Sequence, residues 1–302
     1  MVDSIHLQDS KSSDVVKIVE ASSRGLSVTN QSKVAIGYVV KGKKTIYCTG
    51  EPRVVEEGSL YFIGEGVHYV ENVTTSSHYE EIVFHIPTSV LQAVVMSLAE
   101  TGEIVIDVSH RCQRCRGHNV VALLSQLGFV DGFFARVNHS IAHGNISTNH
   151  VVRNIRIAEL IYLILSYEDE CLRSVLLRSC DVEYMQFVRI VYDNMFNDIS
   201  IEELAKIANR SVTSFKKDFQ RYFNMPPHHW YIEQRLMRAK ILLLSSELTI
   251  SEIGIMCSFT NISHFIKLFK MYFKYTPAAM RKMFRNKKAE DASDKESILT
   301  EE

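Results

Sequence analysis

The sequence predicts an α+β protein: a small β-barrel with accompanying helices, then an all-α domain. Three observations predict this division. Short runs of strand-forming residues punctuated by glycine turns fill residues 26–86. A helical unit is written twice between residues 200 and 285, at an offset of 49–50 residues. Charge is also divided: residues 200–288 hold sixteen Lys or Arg against six Asp or Glu, a net of +10, in a chain of net charge −1. A basic second half on an acidic first half is the pattern of a nucleic-acid-binding module joined to something else.

The 302 residues, 46% hydrophobic and 23% charged, suffice for two domains with their own cores. Residues 1–14 are polar and lack the apolar core of a signal peptide. The longest apolar stretch, residues 155–167, contains Arg156 and Glu159 and is too short to span a bilayer. Six cysteines without a paired framework suit a reducing compartment, so a cytoplasmic chain with no membrane segment is expected.

Within the first half, residues 34–40 and 45–48 flank Lys41-Gly42-Lys43-Lys44 and read as a hairpin. Further strands are expected at residues 59–63, 67–70 and 80–86, each of the first two entered through a Glu-Gly turn. Short strands at this spacing suggest a sandwich or barrel. Helical periodicity follows at residues 88–100, 120–127 and 149–166, the last with a broad apolar face from Ile157, Leu160, Ile161, Leu163 and Ile164. Excess apolar surface on the strands and on these helices predicts a cavity between them. Residues 180–197 read as one more helix, with Val182, Met185, Val188 and Val191 on a stripe.

Each copy of the duplicated unit opens with a capping box, Ser200 with Glu203 and Thr249 with Glu252. A short apolar helix, a tight turn and an N-cap (Ser211 or Asn261) lead into a second helix. That helix buries Phe215, Phe219, Tyr222 and Phe223 in the first copy, and Phe265, Phe269, Tyr272 and Phe273 in the second. Its other face shows Thr213, Lys216, Lys217 and Gln220, or Ser263, Ile266, Lys267 and Lys270. This is a helix-turn-helix arrangement, twice. Residues 226–245 form the helix between the copies.

The run Arg235, Ala239, Leu242-Leu243, Ile250, Glu252-Ile253, Phe259, Phe265, Phe269-Lys270, Phe273, Thr276-Pro277 and Arg281 resembles the DNA-binding domain of AraC/XylS-type transcription regulators. Two positions depart from that pattern, Ser258 and Lys274 standing where the family usually has glycine. The segment 56–68 is similar, more loosely, to the barrel of cupin-type sensor domains. The resemblance implies a sensor and dimerisation domain at residues 1–180, a DNA-binding domain at 181–288 and a disordered tail at 289–302. It implies an activator's partners, promoter DNA and RNA polymerase, a homodimer formed through the helices after the barrel, and control by a small apolar effector or a regulatory protein. The segment Ile157-Ala158-Glu159-Leu160 is similar to members controlled by a protein partner, such as regulators of type III secretion. In relatives, bases are read from early outward positions of each second helix. Here these are Thr213, Lys216 and Lys217, then Ile262, Ser263, Ile266 and Lys267, with Gln220 and Lys270 beyond them. Two isoleucines in the second set predict that the first unit reads the stricter half of the site.

Other motifs carry less. Cys112 and Cys115, flanked by His110 and His118, leave open a redox pair or zinc beside a plain basic loop, and three arginines oppose a cation there. His68, His78 and His85 contain no His-x-His pair, so no metal, catalytic residue or cofactor is assigned. The competing function classes are a cupin-like enzyme with an accessory basic domain and a protein-interaction module. The latter fits poorly with a net of +10.

Overall fold

A computed structural model describes residues 14–47, 52–75, 77–102, 104, 120–122, 128–144, 146, 149–167, 169–197 and 199–285. The Cys112–Cys115 loop and the charged tail lie outside the described residues. The chain divides into two compact units, Met1–Asp193 with Ile201–Pro226, and Asn194–Ser200 with Pro227–Glu302.

The first unit is built on two antiparallel sheets. One has the order β1-β8-β3-β6-β9, with β1 (Asp14–Glu20), β3 (Val34–Lys41), β6 (Leu60–Ile63), β8 (Tyr79–Ile86) and β9 (Val120–Ala122). The other has the order β2-β7-β4-β5, with β2 (Arg24–Gln31), β4 (Lys43–Tyr47), β5 (Arg53–Val55) and β7 (Gly66–Val73). Among the described residues no strand joins the two sheets, so they do not close into a barrel.

Residues 34–48 are not a hairpin, because β3 pairs with β6 and β8 while β4 pairs with β5 and β7. Gly42, at φ +88°, turns the chain from one sheet into the other. A Cβ there would lie 2.6 Å from the Val73 carbonyl oxygen, a contact only glycine avoids. Residues 120–122, expected as helix, form a strand instead: Val120 pairs with Ile63 and Val121 with Phe62. The free edge of β6 offers hydrogen bonds that outweigh a short periodic pattern, and valine favours extended backbone. Residues 14–20, whose apolar residues stand in adjacent pairs without strand alternation, form β1, paired along its length with β8.

Strand β3 is buried on both sides, and its alternation sorts two cores. Val34, Ile36 and Tyr38 join Phe62, Phe84 and Ile86 under helices α1 (Thr88–Glu100), α2 (Gly128–Ala142), α3 (His150–Ser166) and α4 (Glu170–Arg178). Tyr38 stacks on Phe134 at 4.4 Å and donates to Asp131 at 2.7 Å. The helices α2 and α4 were not foreseen. Between strands and helices these buried side chains form one apolar cluster.

On the other face, Ala35 and Val39 meet Ile46, Val55, Val70 and Tyr79 between the sheets. A cavity of about 270 Å³ lies here, lined by Lys44, Glu81, Asn72, Tyr61 and Glu20 among others. Lys44 Nζ donates to both Glu81 carboxylate oxygens, at 2.9 and 3.1 Å, and to Asn72 Oδ1 at 3.0 Å. Tyr61 Oη donates to Glu81 Oε2 at 2.6 Å. Paired and hydrogen-bonded in this way, the two buried charges are tolerable. Burial, before the Glu81 charge, pushes the Tyr61 hydroxyl well above its ordinary range.

Helix α5 (Val182–Asp193) then packs against the start of β7. Arg189 pairs with Glu65 at 2.7 Å, and Glu65 accepts from Thr88 at 2.5 Å. The Tyr192 ring covers Gly66, where an added Cβ would stand 2.7 Å from it.

Gly37 lies directly opposite Tyr61 of the neighbouring strand β6, and a Cβ there would fall 2.1 Å from the Tyr61 ring. Gly37→Ala should displace Tyr61 from Glu81 and destabilise the protein by about 1–3 kcal/mol. A urea titration followed by far-ultraviolet circular dichroism tests this; an unchanged midpoint contradicts it.

Candidate nucleic-acid interface

The duplication is repeated in backbone detail. The first copy consists of α6 (Ile201–Ile207) and α7 (Val212–Phe223), the second of α9 (Ile250–Met256) and α10 (Ile262–Phe273). Between them lies α8 (Pro227–Ser245). Each short helix ends in the same two-bond turn: Asn209 N–H donates to Lys206 and Arg210 N–H to Ala205, while Ser258 N–H donates to Ile255 and Phe259 N–H to Gly254. Asn209 and Ser258 adopt left-handed conformations at φ 53° and 60°. This is a Schellman turn in both copies. Each long helix likewise ends on a left-handed residue, Asn224 at φ 58° and Lys274 at φ 68°. Ser258 and Lys274 therefore keep the geometry that glycine would adopt more cheaply.

The caps also match. Ser211 accepts from Ser214 N–H at 3.1 Å, and Asn261 accepts from His264 N–H at 2.9 Å. In the second copy the capping box is complete, with Glu252 accepting from Thr249 N–H at 2.7 Å and Thr249 accepting from Glu252 N–H at 3.2 Å. Those bonds hold the Glu252 carboxyl below its usual range.

Each copy buries its aromatic stripe against one further helix. Phe187 of α5 lies 5.0 Å from Phe215, 6.1 Å from Phe219 and 5.3 Å from Tyr222, and Tyr184 packs edge-on to Tyr222 at 5.1 Å. In the second unit Leu236, Ala239 and Leu243 of α8 close over Ile253, Cys257, Phe265 and Phe269. Gly254 lets α9 and α10 approach, since a Cβ there would be 2.7 Å from Ile262 Cδ1. Arg235 donates to the Ser258 carbonyl at 3.1 Å, tying α8 to the second turn.

With the aromatic faces inward, Thr213, Lys216, Lys217 and Gln220 are exposed on α7. On α10 Ser263, Lys267 and Lys270 are exposed, but Ile266 is half-buried against the core. His264, absent from the expected set, is exposed. One signal in the sequence bears on this exchange: at an offset of 50, Ile266 replaces Lys216 and His264 replaces Ser214. Trp230 is buried, as a packing residue would be. Of the three histidines weighed for metal, His68 is buried and hydrogen-bonded to the Gly64 carbonyl at 2.9 Å, and burial lowers it to about 4. Among the described residues no three His, Cys, Asp or Glu side chains converge as metal ligands would, and no helix is long and apolar enough to cross a membrane.

Two family models match, one described as a helix-turn-helix domain over residues 204–283 and one as the ExsA N-terminal regulatory domain over residues 34–175. Over these segments the chain is similar to AraC/XylS-type regulators. A similar relative is the HTH-type transcriptional regulator GbdR of Pseudomonas aeruginosa, 32% identical over 92 residues, which are 30% of this chain and 25% of GbdR. The chain thus spans about a quarter of the length of the first curated relatives it matches. The thermoregulatory protein LcrF of Yersinia pestis is 21% identical over 271 residues, covering 88% of this chain and 92% of LcrF. Among solved structures, a single-substitution variant of ToxT from Vibrio cholerae, in its apo form, aligns over 89% of this chain and 97% of its own, at 12% identity and a TM-score of 0.47.

Ser258→Gly and Lys274→Gly should each stabilise the second unit by up to about 1 kcal/mol, because glycine removes the left-handed penalty. Urea unfolding followed by the fluorescence of Trp230, the single tryptophan, reports on that unit; a loss of stability in both variants would show that the side chains contribute more than the strain.

Burial pushes the carboxyl of Glu233 on α8 from 4.5 to about 7, and its Oε2 has no hydrogen-bond partner among the described residues. A raised carboxyl favours the folded state when protonated, so this contribution is present below the unfolded value of 4.5 and is lost as pH rises to about 7. Glu233→Gln should therefore be more stable than the parent above about pH 7, with the gap closing toward pH 4.5. Melting temperatures across that range test the sign.

Proposed function

We propose that the protein is a sequence-specific DNA-binding transcription regulator controlled through its N-terminal region. The observation that carries this reading is the pair of helix-turn-helix units whose second helices turn lysines and hydroxyl groups outward. Lysines 216, 217, 267 and 270 supply phosphate contacts and salt-dependent affinity. Thr213, Lys216, Lys217 and Gln220 in one groove segment, and Ser263 and Lys267 in the other, are the base-reading candidates. Ile266, half-buried, is left to pack or to touch a thymine methyl. The DNA-binding domain is assigned to residues 181–288, with α5 as its first helix because Phe187 completes the core of the first unit. RNA polymerase is the partner implied for an activator of this type.

The N-terminal strands are read as a cupin-like sensor. A small effector would enter the space between the sheets, but Lys44, Glu81 and Asn72 make that space a poor match for an apolar one. Control by a regulatory protein is the alternative to a small effector. Val151, Ile155 and Tyr162 are exposed along α3 and supply an apolar stripe for a homodimer.

Mobility shifts with genomic fragments, run with the full chain and with residues 181–288, test the reading. The fragment should fold and bind DNA at low salt; a folded fragment without affinity refutes the assignment. Lys216→Ala or Lys217→Ala should cost about 1–3 kcal/mol and relax preference at particular base pairs, whereas Lys270→Ala should weaken all sequences alike and lower the salt slope by about one.

A further inference from the structure

The two recognition helices are copies, yet they do not turn the same flank to solvent. On α7 the exposed residues include Thr213, Lys216, Lys217 and Gln220, and Ser214 is half-buried. On α10 they include Ser263, His264, Lys267 and Lys270, and Ile266 is half-buried. Successive helical residues are about 100° apart, so the exposed arc has lost one edge position and gained the one on the opposite edge. The packing supplies the cause. Gly254 leaves room for Ile262, whose Cδ1 would lie only 2.7 Å from a Cβ added there, and Ile266, one turn further on, is half-buried against the core of Leu236, Phe265 and Phe269. At the corresponding positions the first copy has Ala205, Val212 and Lys216, so nothing draws residue 216 inward.

Resting on the DNA-binding reading above, we propose that His264 is a specificity-determining residue of the second helix-turn-helix unit, reading a purine N7 in the major groove. Its place is the first turn of α10, the part of a recognition helix that approaches base edges. Its backbone N–H is already satisfied by Asn261, which fixes the turn and leaves the imidazole to solvent. A neutral imidazole offers one N–H donor and one acceptor nitrogen. Guanine and adenine both present N7 as an acceptor in the major groove, so the N–H finds a partner on either purine. Ser263 and Lys267 flank it on the exposed arc. The second unit then reads bases through a polar group on the flank opposite to Lys216, and its share of specificity does not depend on Ile266.

The test uses the full chain. Duplexes are first selected from randomised double-stranded oligonucleotides, and affinities are then measured with each purine of the selected site replaced singly by its 7-deaza analogue. The parent should lose about fivefold or more at one purine of the second half-site, the low end of a single base contact. His264→Ala should bind the unmodified site more weakly by a similar factor and lose its sensitivity at that purine alone; His264→Gln, which keeps an N–H donor, should retain part of it. If His264→Ala shows the parent's sensitivity at every purine, or weakens all duplexes equally with no change of pattern, the assignment is overturned. If the parent selects no sequence at all, the DNA-binding reading itself fails and this inference falls with it.

Discussion

Helices of 7 and 12 residues cannot enclose Phe215, Phe219 and Phe223 between themselves. A pair that short leaves one side of its aromatic stripe open to water, and most of a short helix's stability comes from burying such a face. Each pair therefore depends on a third helix, α5 for the first and α8 for the second. Phe187 fills the first gap by direct ring contact. Leu236, Ala239 and Leu243 fill the second with aliphatic side chains. Once those stripes are sealed, the opposite faces have no choice but solvent, and it is there that the lysines sit.

The same constraint links the first pair to the strands. Helix α5 has two occupied faces: Phe187 meets the aromatic stripe, while Arg189 and Tyr192 engage Glu65 and Gly66 at the start of β7. Glu65 is itself held by Thr88, the first residue of α1. Helix α5 thus touches both the β6–β7 turn and the aromatic stripe of the first helix-turn-helix pair. A carboxylate shared by an arginine and a hydroxyl is a directional link, unlike apolar packing, and joins α1 and α5 to the β6–β7 turn.

The strand unit solves a related problem in a different way. A strand covered by helices on one face and by another sheet on the other is buried on both, and β3 is apolar and buried from Val34 to Val39 apart from the Tyr38 hydroxyl. Its small residues, Ala35 and Gly37, face the second sheet, where Tyr61 and the Lys44–Glu81 pair take the space that a large side chain would have filled. Buried polar groups of this kind stabilise little by themselves; their directional bonds specify one arrangement of the two sheets.

By itself the sequence determined the features that arise from local chemistry repeated at a fixed spacing. The offset of 49–50 residues, the caps at Ser211, Thr249 and Asn261, and the Phe stripes fixed two helix-turn-helix units and their outward faces to within one position. Helices α1, α3 and α8 were legible for the same reason, being long and strongly periodic. Tertiary structure decided what depends on partners remote in the chain. Residues 120–122 became a strand because the edge of β6 was free, and β3 and β4 went to different sheets because Gly42 permits a corner. The flank of α10 that faces solvent was set by the room beside Gly254, since a helix's periodicity defines a stripe but not the rotation at which its neighbour seats it.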